Sequence, residues 1–176
     1  MKIISTKFKD LKIIKSNPFK DSRGYFREAF KNKFFNNKKF VFTCFSFSKK
    51  NVLRGLHLQT KSAQGKYLSV LKGEIYDVAV DLRKNSKTFG KYFSIKISND
   101  NGISLFIPPG FAHGFLALKK ENILSYQCTN YRSKNHEIGI KWDDPDIKIK
   151  WQIKKPILSS KDKKNLSLKE FIKKYA

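Results

Sequence analysis

The chain has 176 residues, 40% of them hydrophobic, enough to bury the core of one domain spanning 1–176. Its mean hydropathy of −0.52, with no apolar run near the ~20 residues of a membrane helix, excludes a helical membrane protein. The net charge of +24 directs attention to nucleic acid, yet only five of the 38 basic residues are arginine, the side chain suited to planar phosphate and base recognition. The lysines are spread along the whole chain, so the expectation is a solvated basic surface that attracts anionic small molecules, with neither nucleic acid nor membrane as partner. Met1 to Lys15 shows no signal-peptide pattern. Cys44 and Cys128 sit far apart, with neither zinc spacing nor a disulfide framework. A cytoplasmic location is the expectation.

Strand signals dominate in chain order. Lys12 to Lys15, Gly24 to Phe30 and Phe40 to Ser48 are rich in β-formers. A short helix is expected near Lys31 to Asn37. Tyr67 to Leu71, Lys72-Gly73 and Glu74 to Asp81 read as a hairpin with a two-residue turn. Tyr92 to Ser98, Ser104 to Ile107, Gly114 to Leu118 and Ile123 to Thr129 continue the series. Asn85-Ser86, Asn99 to Gly102 and Pro108-Pro109-Gly110 punctuate it. Ser167 to Tyr175 reads as a helix, with Ser167 as N-cap and Glu170 completing a capping box. Many short strands with regular turns predict an all-β jelly roll with a few short peripheral helices.

Within this pattern, Val52-Leu53-Arg54-Gly55-Leu56-His57-Leu58 places one histidine in an apolar, strand-like run beside an arginine. A histidine there can move protons near neutral pH, and an arginine can grip a phosphate; a merely hydrogen-bonded core histidine is the competing reading. Strict alternation puts Leu53, Gly55 and His57 on one face and Arg54, Leu56 and Leu58 on the other. Further on, Gly102-x5-Pro108-x-Gly110-x2-His113 resembles the second motif of the cupin superfamily. In cupins that histidine is a metal ligand, joined by a His-x-His pair. Here the earlier strand offers only His57 between leucines, a poor transition-metal set. The expectation is therefore a cupin-like barrel with no metal and no cofactor, doing organic acid–base chemistry. Asp162 is a candidate to orient the imidazole.

The chain as a whole resembles the dTDP-4-dehydrorhamnose 3,5-epimerase family from about Asn17 to Glu170. The resemblance rests on Pro18 to Glu28, Val52 to Gln59, Ala63 to Lys66, Asp77 to Arg83, Thr88 to Lys91, Ile107 to Phe115, Tyr126 to Tyr131, Gly139 to Pro145 and Leu158 to Asp162, in that order. It implies a homodimeric, metal-free jelly roll that inverts C3 and C5 of a nucleotide-diphosphate 4-keto-6-deoxy sugar. It also implies roles: His57 as base, Asp162 holding its ring, Lys66 stabilising an enolate, and Tyr126 returning a proton from the opposite face. Arg23, Glu28, Arg54, Glu137 and Lys161 match substrate-contacting positions, and the strand carrying Arg23 and Glu28 would serve the partner's site. His113 and Asp77 match polar positions of the barrel interior.

Three positions depart from the family pattern. Phe42 and Cys44 stand where relatives carry glutamine and asparagine, and Arg132 replaces the second aromatic of a Tyr-Tyr pair. The expected substrate is dTDP-4-dehydro-6-deoxyglucose, converted to dTDP-4-dehydro-L-rhamnose. The alternatives are inversion at C3 only, another NDP-4-keto sugar such as a GDP-keto-heptose, or a non-catalytic sugar-nucleotide binding module.

Overall fold

The computed structural model describes residues 1–35 and 38–175. Among the described residues thirteen strands follow one another: β1 Lys2–Ser5, β2 Lys12–Lys15, β3 Phe19–Asp21, β4 Gly24–Phe26, β5 Phe42–Lys49, β6 Leu53–Gln59 and β7 Lys66–Lys72, then β8 Glu74–Asp81, β9 Tyr92–Ser98, β10 Ile103–Ile107, β11 Phe111–Ala117, β12 Glu121–Cys128 and β13 Glu137–Gly139. They form a six-stranded sheet ordered β1-β2-β10-β7-β12-β5, a five-stranded sheet ordered β13-β6-β11-β8-β9, and the small ribbon β3-β4. The two large sheets face each other as a cupin-like jelly roll. Between them lie Leu68, Val70, Leu105 and Leu124 from one sheet and Ile75, Ala79, Ile97 and Phe115 from the other. The back of the five-stranded sheet is covered by the C-terminal segment, where Leu168 and Phe171 meet Leu56, Val78 and Val80. The back of the six-stranded sheet is covered by Phe30, Phe34, Phe35 and Phe40 packed on Tyr67 and Phe106.

The expected jelly roll stands, and so does the C-terminal helix. Helix α1 spans Leu168–Tyr175. The Glu170 N–H donates to Ser167 Oγ (3.2 Å), and the Ser167 N–H donates to Glu170 Oε2 (2.6 Å), the reciprocal bonds of a capping box. Near Lys31 the chain makes a 3-10 turn over Asn32–Phe35, while Asn36 and Asn37 lie outside the described residues. The strand expected from Gly24 to Phe30 ends at Phe26.

The hairpin expected at Lys72-Gly73 does not form. β7 pairs with β10 and β12, whereas β8 pairs with β11 and β9 in the opposite sheet. Leu68 and Val70 on β7 and Ile75 and Ala79 on β8 meet in the core between the two sheets. The corner between them uses φ +86° at Gly73, where a Cβ would lie 2.3 Å from the Glu121 carbonyl oxygen. Side-chain amides, not a second strand, satisfy the turning backbone. Gly73 N–H donates to Asn99 Oδ1 (2.9 Å) and Glu74 N–H to the fully buried Asn122 Oδ1 (3.1 Å).

Candidate active site

A cavity of about 440 Å³ opens between the two sheets, lined on one wall by β5, β7 and β12 and on the other by β6 and β11. Its geometry turns on an irregularity in β6. Against β11, His57 faces His113, Arg54 faces Phe115 and Leu53 faces Leu116. Three steps on β6 thus oppose two on β11, a β-bulge with one extra residue. Strict alternation therefore fails, and Arg54 and His57, expected on opposite faces, both line the cavity. Leu56 and Leu58 pack into the apolar layer behind the sheet. The bulge needs two glycines. Gly55 has φ +126°, and a Cβ there would lie 2.5 Å from Gly114 Cα. Gly114 returns the constraint, since its own Cβ would lie 2.6 Å from the Arg54 carbonyl oxygen.

Asp162 reaches His57 because the segment carrying it is tied to β6 at both ends. Leu53 N–H donates to the Ile157 carbonyl (3.0 Å), and Asn165 Nδ2 donates to the Gly55 carbonyl (3.0 Å). Between these anchors the Asp162 N–H donates to Ser159 Oγ (3.0 Å). His57 Nε2 then meets Asp162 Oδ1 at 2.5 Å. The His57 side chain is 26% exposed, toward the cavity, and Asp162 5%. Burial works against the Asp162 charge, but hydrogen bonds from His57, Ser159 and the Gly55 backbone outweigh it and hold its carboxyl below the usual range. A carboxylate fixed on one ring nitrogen leaves the other nitrogen as the basic one.

On the opposite wall, Tyr126 donates or accepts a hydrogen bond with Ser46 Oγ (3.1 Å). Burial raises its pKa, which keeps the phenol protonated. Its ring stands edge-on to the His113 ring, 6.3 Å between centroids. Lys66 lies on the same wall, paired in register with Cys128. Burial lowers its pKa, and among the described residues its ammonium has no ion-pair partner within 4.0 Å. At the cavity mouth, Glu137 accepts from Arg132 Nε (2.7 Å) and from Lys161 Nζ. Burial opposes its charge too, yet these two cations bring the Glu137 pKa down to about 2. Arg54 is held by Ser48 Oγ (3.0 Å) and the Phe47 carbonyl (2.9 Å).

His57, Lys66, Tyr126, Asp162, Arg54, His113, Glu137 and Lys161 thus converge on one cavity. Arg23 and Glu28 do not join them within one protomer. Arg23 pairs with Asp21 (2.7 Å) on the β3-β4 ribbon, and Glu28 with Lys31 (2.6 Å). The departures Phe42, Cys44 and Arg132 all line the cavity, and Phe42 stacks on Tyr131, 6.0 Å between centroids. Sequence reasoning passed over Ser46, Ser159 and Gln59. Gln59 accepts from the Ser133 N–H (2.7 Å) and donates to the Ser62 carbonyl (2.9 Å). The Ser159-x-x-Asp162 spacing is a readable signal for Ser159, and Ser46 is the one position of the Phe42-x-Cys44-x-Ser46 stretch that keeps the family pattern. Among the described residues no cluster of three or more His, Cys, Asp or Glu side chains is placed to hold a metal ion.

Comparison with known proteins places the chain in one family. The family model described as dTDP-4-dehydrorhamnose 3,5-epimerase matches residues 5–170. The enzyme of that name from Methanothermobacter thermautotrophicus is 44% identical over 176 residues, covering 96% of this chain and 95% of the relative. Among solved structures, dTDP-4-dehydrorhamnose 3,5-epimerase from Elizabethkingia anophelis is similar with a TM-score of 0.91 at 42% identity, covering 100% of this chain and 99% of that one. The dTDP-6-deoxy-D-glucose-3,5-epimerase from Legionella pneumophila, in complex with dTDP-4-keto-L-rhamnose, is similar with a TM-score of 0.91 at 41% identity, covering 96% and 93%.

Proposed function

The chain belongs to the dTDP-4-dehydrorhamnose 3,5-epimerase family, and from that membership we propose which residues carry its reaction. It is an isomerase that inverts C3 and C5 of a dTDP-linked 4-keto-6-deoxyhexose. The C4 ketone acidifies the C–H bonds on both neighbouring carbons. His57 takes the proton with its free ring nitrogen, and the C–H electrons move into an enolate. Asp162 stabilises the imidazolium that results. Lys66, whose ammonium pairs with no carboxylate among the described residues, stabilises the enolate oxygen. Tyr126 gives a proton back to the carbon, and exchange with solvent resets both groups after each inversion.

One observation carries this reading. The His57–Asp162 pair and the Tyr126 hydroxyl stand on opposite sheets across one cavity. Inversion needs exchange from two faces of the sugar, since a single base restores the starting configuration. Arg54 and Lys161 supply cations for the diphosphate. Glu137 holds Lys161 and Arg132 in place at the mouth, and His113 lines the sugar end.

The remaining contacts come from a second copy of the chain. Arg23 and Glu28 lie away from their own cavity, on or next to a ribbon whose Phe19 and Phe26 are 70% and 67% exposed. Inactive His57→Ala and Arg23→Ala proteins, mixed and allowed to exchange subunits, regain activity if the site is shared; no regain rules out sharing. A cytoplasmic location suits an enzyme whose two cysteines are free and whose described helices are too short to cross a membrane; fractionation that finds it in an exported pool would refute this.

Incubation with dTDP-4-keto-6-deoxyglucose in D₂O, followed by NMR, tests the activity. Deuterium at both C3 and C5 is expected. Label at C3 alone, or label only with a GDP-linked keto sugar, contradicts the assignment.

A further inference from the structure

Cys44 and Cys128 take no part in the proton transfers, yet both line the cavity in which they occur. In the antiparallel pairing of β5 and β12, Tyr126 is opposite Cys44 and Phe42 is opposite Cys128. The two cysteines are therefore diagonal neighbours on one face of adjacent strands. Cys44 is exposed and Cys128 buried. Burial pushes the Cys128 thiol up to about 11, so Cys44 is the point of entry and Cys128 the second ligand. Lys66, opposite Cys128 in register, lines the same cavity. No third or fourth soft ligand adjoins the pair among the described residues, which disfavours a tetrahedral zinc-type site. It suits a thiophilic centre that two thiolates complete.

We propose that Cys44 and Cys128 form a dithiol site for trivalent organoarsenicals, and that its occupation closes the catalytic cavity. With an arylarsine oxide, two As–S bonds form while two S–H bonds and the As–O bond break. The oxygen leaves as water with both thiol protons, and no atom changes oxidation state. The site is independent of the catalytic assignment; the loss of activity alone rests on it.

The test uses phenylarsine oxide on the intact protein, read by mass spectrometry and thiol titration. The expected result is one arsenic adduct per chain and the loss of both free thiols. The adduct survives excess monothiol and is removed by 2,3-dimercaptopropanol. Saturating dTDP prevents its uptake, and adducted enzyme loses epimerisation. Cys44→Ser and Cys128→Ser, checked for folding by circular dichroism, each form no monothiol-resistant adduct. A wild-type chain that takes up no adduct, or variants that hold it as the wild type does, overturn the dithiol site. Uptake indifferent to dTDP, or full activity of the adducted enzyme, overturns its closing of the cavity. A stable adduct on a chain that never epimerises leaves the site standing and counts against the functional reading.

Discussion

Two histidine–aspartate pairs stand side by side in this barrel, His57 with Asp162 and His113 with Asp77, and the histidines face each other in register across β6 and β11. Their chemistry in isolation is the same. Their settings differ. His57 keeps 26% of its side chain open, whereas His113 keeps 5% and Asp77 none. The Asp162 backbone is also pinned, its N–H donating to Ser159 Oγ. Asp77 Oδ1 has no hydrogen-bond partner among the described residues. An imidazole partly open to the cavity, on a carboxylate whose segment is anchored, can meet a substrate proton. A sealed pair, half of whose carboxylate is unsatisfied, acts mainly to hold the wall and its polar face. The bulge at Gly55 creates this difference, because it turns His57 into the cavity without breaking its reach to Asp162.

That contrast can be broken from either side. Asp162→Asn keeps the shape of the open pair but removes its charge and permits the wrong tautomer; kcat is expected to fall about 10³-fold with little change in KM. A fall of less than tenfold would strip Asp162 of its role. Lys66→Met, which spares both pairs, removes the proposed enolate cation and is expected to cost ~10² in kcat; an unchanged kcat assigns that oxygen to another donor.

For the sealed pair the main effect is on stability. His113→Ala leaves the buried Asp77 without its hydrogen bond to the imidazole, and denaturant unfolding should show a loss of about 3 kcal/mol. A loss under about 0.5 kcal/mol shows the pair to be dispensable to the fold. The smallest effect concerns the cavity mouth. The Glu137 pKa is about 2 in the folded protein against 4.5 ordinarily. Its contribution to stability is present in full above pH 4.5 and fades as pH falls toward 2. The difference in unfolding midpoint between wild type and Glu137→Gln should narrow over that window. Arg132 and Lys161 are about half exposed, so the difference amounts to about 1 kcal/mol at neutral pH. A difference that widens on acidification contradicts the pairing.

Much of the site was legible because its side chains lie in short runs of unmistakable chemistry. His57, Lys66, Tyr126 and Asp162 could each be named from local pattern and family resemblance. The strands and the Ser167 capping box follow from propensities acting over a few residues. What local pattern could not carry is pairing across distance. Lys72-Gly73 has the composition of a hairpin turn, and only the side chains of Asn99 and the buried Asn122, bonded to its backbone, reveal that it is a corner between sheets. The bulge is equally hidden, since Gly55 looks like an ordinary strand glycine until Gly114, on another strand, is found against it. Asp162 could be suspected but not joined to His57, 105 residues away, without the anchors at Ile157 and Asn165.

The most direct test compares the two pairs in one experiment. His57→Asn and His113→Asn are incubated separately with dTDP-4-keto-6-deoxyglucose in D₂O, and deuterium entry at C3 and C5 is followed by NMR. His57→Asn is expected to show no exchange above the solvent background at either carbon, while His113→Asn still exchanges. Wild-type exchange in His57→Asn, with none in a folded His113→Asn, would move the base to the other histidine and contradict the account.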